Sequence, residues 1–144
     1  MIKKTRSKFM KNPKFPKCQA IPFPTVVSFQ LNGNEMFAYN YKNIASRPYI
    51  FPTIGPSGRI ITRIGHPHDP VSHRHHYSVW LGHQNVNGVN FWEESNRSGR
   101  QVPQSILEFE DSDKFCSMTA SVKWQDKNGK DLLKETKKVS MHPL

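Results

Sequence analysis

Six of the seven histidines in the chain fall between residues 66 and 83: His66, His68, His73, His75, His76 and His83. Imidazole titrates near neutral pH and is the commonest metal ligand. Such density points to proton transfer or to metal binding. Spacing restricts which rings can cooperate. On a strand, His73 and His75 share a face because side chains alternate, and His76 points the other way beside Trp80. His83 lies eight residues beyond His75, roughly 26 Å along a straight strand. Only a turn back, of the kind Gly82 permits, brings it to the others. On a helix, His73, His76, Trp80 and His83 would form one stripe, but Val79, the nearby prolines and the surrounding β pattern favour the strand. No HExxH or other short metal motif is present. The competing account is a set of hydrogen-bonded histidines without chemistry.

Other residues can complete a site. Arg47 and Arg63 are candidates for holding an anionic group, because guanidinium forks grip carboxylate or phosphate at two points. Trp80 and Trp92 can stack on sugar rings, with His83 and Asn87 as further substrate contacts. Glu93 or Glu94 can serve as general acid or base, but neighbours on a strand face opposite ways, so at most one points inward. The ordinary alternatives are surface charge for the arginines and core packing for the tryptophans. Trp124, in a cleanly alternating stretch, reads as core.

The elements that must position these residues are short strands. Thr25–Leu31 and Glu35–Tyr41 flank Asn32-Gly33, a dipeptide suited to a type I′ turn, and form a first hairpin. Arg47–Ile54 and Arg59–Ile64 flank Gly55-Pro56-Ser57-Gly58 and suggest a second. Residues 65–72 read as loop, and His76–Leu81 as a strand. Val86-Asn87-Gly88-Val89 is a turn leading to Asn90–Glu93. Residues 94–104 read as loop. Ser105–Phe109 and Phe115–Trp124 pair around Asp111-Ser112-Asp113. Leu132–Val139 is the final strand, after a turn at Asn128-Gly129. No stretch shows a long helical period with caps, and no repeat of fixed period occurs. The expected class is all-β, an antiparallel sandwich.

The chain has 144 residues, enough for one domain, and a formal charge of +10. Residues 1–17 carry seven lysines and arginines and no acid, which leaves +3 for the remainder. The basic character is therefore a property of an N-terminal, Pro-punctuated arm, residues 1–24, leading into a domain of residues 25–144. Charge alone supports nucleic-acid binding by the arm, without a recognised motif, so a solvated lead-in is the preferred account. The arm has no apolar core of a signal peptide, and no apolar run approaches the ~20 residues of a membrane span. A cytoplasmic, non-membrane protein is expected. Cys18 and Cys116 are the only cysteines; with no CxxC they read as reduced thiols.

The series Arg47-Pro48-Tyr49, Gly55-Pro56-Ser57-Gly58, Thr62-Arg63, Gly65-His66-Pro67, His73-Arg74-His75-His76-Tyr77-Ser78-Val79-Trp80, His83 and Val86-Asn87-Gly88-Val89-Asn90-Phe91-Trp92 resembles the DUF6807 family. Its members often carry the label "PmoA family protein". The likeness spans Pro24 to Lys138. Two positions depart from the family pattern: Ser72 stands where an acidic residue is common, and Tyr77 where arginine is. The label suggests a methane monooxygenase subunit, which is a membrane protein, and the lack of an apolar span argues against that meaning here. The resemblance implies instead a soluble β-sandwich similar to galactose-mutarotase-like supersandwich proteins. Family members are about twice as long, so the resemblance implies an N-terminal half, in line with Met141-His142-Pro143-Leu144 giving no closing element after the final strand.

Four functions compete on these grounds. The first is a carbohydrate-active or carbohydrate-binding protein that uses His73, His75 and His76 as acid or base. Arg47, Arg63, Trp80, His83, Asn87 and Trp92 would then contact a sugar or small acidic ligand. The second is a divalent-metal enzyme built on the same histidines. The third is a truncated, inactive fragment. The fourth is nucleic-acid binding through the arm.

Overall fold

The computed structural model describes residues 14–42, 45–65, 68, 71–73 and 75–143. His66, Arg74, the Asp69-Pro70 loop and most of the basic arm lie outside them. The described residues form an all-β structure without helix, and none is therefore a membrane-spanning helix. Five strands form one antiparallel sheet in sequential order: β1 (Cys18–Pro22), β2 (Val26–Leu31), β3 (Asn34–Asn40), β4 (Tyr49–Thr53) and β5 (Val79–Trp80). Three longer strands form a second: β6 (Arg100–Asp111), β7 (Cys116–Gln125) and β8 (Asp131–Met141).

The first hairpin forms as its turn chemistry demands. Asn32 and Gly33 take φ of 51° and 80°, the left-handed values that Asn and Gly tolerate and a type I′ turn needs. Paired residues share a sheet face, so Ala20↔Phe29 and Val27↔Tyr39 line one side of the first sheet. On that side Cys18, Ala20, Val27, Phe29 and Tyr39 meet Cys116, Met118, Ala120 and Met141 of the second sheet. This is the core of a sandwich. Each large apolar side chain buried there contributes about 1.5–3 kcal/mol. A second, smaller cluster joins Phe91 to Val122 and Trp124. It fastens the irregular segment 82–99 to one end of β7.

Several elements differ from expectation. β1 lies inside the stretch expected to be an arm: Cys18–Pro22 pairs with β2, and Cys18 is fully buried. The prolines at 16, 22 and 24 permit this because they fall beside or at the end of an edge strand, where a missing donor costs little. Arg59–Ile64 is not a strand; it meets its neighbours through the isolated bridges Ile54↔Ile60 and Ile64↔Tyr77 and through single backbone bonds, such as the Ile61 amide donating to the Thr53 carbonyl at 2.9 Å. β5 has two residues rather than the six expected. β6 begins at Arg100, inside the stretch expected to be loop, and register shifts at Pro103/Ser105 and Ile106/Glu108 accommodate its proline.

Candidate functional site

The site is built where β4 and β5 meet. These strands pair through Tyr49↔Trp80 and Ile50↔Val79 only, so Trp80 shares a face with Tyr49. A glycine is required two residues later. A Cβ at Gly82 would overlap the Trp80 ring and stand 2.9 Å from the Phe91 carbonyl oxygen. Trp80 and Trp92 lie with ring centroids 4.7 Å apart, tilted by 53°.

Arg47 holds this pair from behind. It is 2% exposed, and its guanidinium carbon sits 4.4 Å from the Trp80 ring centroid, a cation–π contact. The fork donates to the Trp92 carbonyl at 2.9 Å, to the Glu93 carbonyl at 3.3 Å and to Ser46 Oγ at 3.2 Å. Glu94 neutralises it. One carboxylate oxygen accepts from the Ser46 amide at 3.2 Å and closely from the Ser46 hydroxyl. The other accepts from the Tyr77 hydroxyl at 2.7 Å, and Tyr77 stacks on Tyr49 at 5.0 Å. Burial alone would push the Glu94 carboxyl up; hydrogen bonds from Ser46 and Tyr77, with the Arg47 charge, outweigh it and hold Glu94 below the usual range. Burial lowers Arg47 against the pull of Glu94 and Tyr77. Burial, and then the bond to Glu94, raises Tyr77.

The histidines come together by a different route from the one expected. Residues 71–73 and 75 lie in turns rather than on a strand, and the His76 amide donates to the His73 carbonyl at 3.1 Å. A turn removes the alternation that would have separated neighbours. The His75 and His76 rings pack edge to face at 4.5 Å, and His73 lies 5.0 Å from His76 and 6.4 Å from His75. His75 also meets the Trp80 ring edge-on at 6.5 Å. Ser72 Oγ lies 2.8 Å from His73 Nδ1. Among the described residues no three His, Cys, Asp or Glu side chains are arranged to hold a metal ion.

An open cavity of about 700 Å³ lies in front of Trp80 and Trp92. Its described lining includes Thr62, Arg63, His76 and Ser78 as polar groups and Ile60, Ile61 and Val79 as apolar ones. The apolar wall is unusually bare, with Ile61 66% and Trp92 39% exposed. Thr62 Oγ1 and Ser78 Oγ are buried without a hydrogen-bond partner among the described residues.

The structure thus brings His76, Arg63, Trp80 and Trp92 to one cavity and packs His73 and His75 behind His76. It separates the others. Arg47 is buried and donates to two backbone carbonyls and to Ser46 Oγ, so it clamps the tryptophans and is not part of the described cavity lining. His83 borders a second hollow of about 360 Å³ that shares only Trp92; its Nδ1 accepts from the Asn85 amide at 3.1 Å. Asn87 is an exposed turn residue with φ of 52°, a conformation asparagine supports. Of the two glutamates, Glu94 turns inward, as the alternation argument allowed. Ser46 carried no signal in the sequence; Thr62 and Ser78 stood in the series that resembles the family, but small hydroxyl residues are common in loops and their type assigned them no role. Tyr77 lay inside the histidine motif, and its hydroxyl partner 17 residues away is set by tertiary contact alone.

A search of curated proteins and of solved structures finds no match to this chain. The model of one family, described as "Family of unknown function (DUF6807)", matches residues 26–144. That span takes in the first hairpin, the clamp, the histidine turn and the whole of the second sheet, and on it the chain belongs to the DUF6807 family.

Proposed function

We propose that the cavity in front of Trp80 and Trp92 binds carbohydrate, with His76 as the group that moves a proton. The observation that carries this is the convergence of two aromatic faces, one imidazole and one guanidinium on a single open cavity. Aromatic faces take the C–H side of a sugar ring, and a few polar groups fix its orientation. His76 is the only titratable side chain besides Arg63 in the described lining. His73 and His75 pack on it and act through it, as positioning residues. Tryptophan fluorescence titrated with a panel of hexoses tests the proposal. Saturable quenching is expected, with affinity falling about tenfold in Trp92→Ala, the scale of one aromatic contact. Absence of quenching by every sugar would contradict it.

The mutual packing of His73, His75 and His76 favours one competing reading, a divalent metal held by these imidazoles. The absence of a three-ligand arrangement among the described residues ranks it second. Stabilisation by zinc on heating, lost in His75→Ala and His76→Ala alike, would promote it.

A further inference from the structure

We infer that the sugar taken by this cavity is an acid, and that Arg63 reads its carboxylate. The inference rests on the carbohydrate reading above and narrows it to a ligand class.

Charge is the first ground. The described lining holds one fixed cation, Arg63, and no acidic side chain. Arg63 is exposed, and among the described residues no carboxylate pairs with it. Its guanidinium is therefore available as a fork that fits a carboxylate at two points. The other arginine of the site contrasts with it. Arg47 is buried, bonded to two carbonyls and offset by Glu94. The fixed charge of the described lining is thus that of Arg63.

The surroundings strengthen that preference. Ile60, Ile61 and Val79 are exposed apolar neighbours in the same lining. A ligand seated there displaces water from around Arg63, and a charge pair gains strength as the local dielectric falls. The hydroxyls are the second ground. Thr62 Oγ1 and Ser78 Oγ are buried without hydrogen-bond partners among the described residues, a costly arrangement for a protein that leaves them so. Both belong to the cavity lining, where rotation about one bond turns a hydroxyl toward a ligand oxygen. A ring with several hydroxyls and one carboxylate satisfies Arg63, Thr62 and Ser78 while its C–H face rests on Trp92. The cavity volume of about 700 Å³ suits a ligand of that size.

The test compares galacturonate and glucuronate with galactose, glucose and acetate, using tryptophan fluorescence of the full chain at neutral pH. The uronates are expected to bind at least tenfold more tightly than their neutral parents, more weakly as salt is raised, and more tightly than acetate. In Arg63→Gln the uronate affinity should fall to that of the neutral parent. Arg63 is exposed, so an unchanged thermal midpoint will show that the variant folds. If neutral sugars bind and uronates bind no better, or if Arg63→Gln keeps the preference, the acid inference fails and the carbohydrate reading survives. If acetate binds as tightly as the uronates, the carboxylate alone is recognised and the inference of a sugar acid fails. If no sugar binds at all, both readings fall.

Discussion

At the scale of single residues, Arg47 and Glu94 are the pair on which the site's shape depends. Removing Arg47 leaves the Trp92 and Glu93 carbonyls without donors and the Glu94 carboxylate without its countercharge. Arg47→Ala is expected to lower stability by about 2–4 kcal/mol in urea unfolding. Arg47→Lys should recover only part of this, since an ammonium cannot fork between two carbonyls or lie flat on Trp80. Glu94 gives a pH signature. Its folded value lies below the ordinary 4.5. The group therefore contributes stability that is fully present above that ordinary value and is lost as pH falls through the lower folded one. The stability difference between the native protein and Glu94→Gln should shrink on acidification below pH 4.5. A difference that stays constant across that range would show that the carboxylate is not held in its charged form.

Among the elements, the short β4–β5 pairing carries the most consequence, because Trp80 owes its place to two residue pairs and to the space left by Gly82. Gly82→Ala is expected to cost about 1–3 kcal/mol, the range for forcing extra volume into a packed site. Near-ultraviolet dichroism should also change as Trp80 moves off Trp92; an unchanged spectrum and stability would show that the ring yields freely. This region also marks how far the sequence could be read. The β2–β3 hairpin was legible because Asn32-Gly33 and the alternating Phe37, Tyr39 and Val27 encode turn and register locally. The strand β7 was legible through the alternation of Ala120, Val122 and Trp124, and β8 through the Asn128-Gly129 turn before it. The histidine segment was not. Its turn is set by contacts between residues 65 and 76, such as the Gly65 amide donating to the His76 carbonyl at 2.7 Å. Ile60 and Ile61 look like strand residues by composition, yet they stand exposed beside a cavity. Arg63, His76, Trp80 and Trp92 could be named as candidates by chemistry, and they share one cavity lining. The burial of Arg47 and the remoteness of His83 depend on where the chain folds back, which local patterns do not encode.

For the molecule as a whole, the two sheets are joined through a core that includes both cysteines. Cys18 and Cys116 are fully buried and unpaired. Burial, reinforced by Cys18 and Asp111, pushes the Cys116 thiol up to about 12. Thiolate is the reactive form, so neither cysteine should react with a thiol reagent at pH 8 until the sandwich opens. Labelling rates should then follow global stability across variants such as Arg47→Ala; fast labelling of the folded protein would mean that the β1 edge detaches on its own. The position of the three tryptophans makes the account open to one direct measurement. Trp124 is buried against Phe91 at 4.8 Å, its indole N–H donating to Glu135 at 2.9 Å, whereas Trp80 and Trp92 face the cavity. In a proton–nitrogen correlation spectrum titrated with galacturonate, the indole signals of Trp80 and Trp92 should shift together and saturate, while that of Trp124 stays fixed. Indole signals of Trp80 and Trp92 that remain still, or that move no more than that of Trp124, would contradict a ligand site at this cavity.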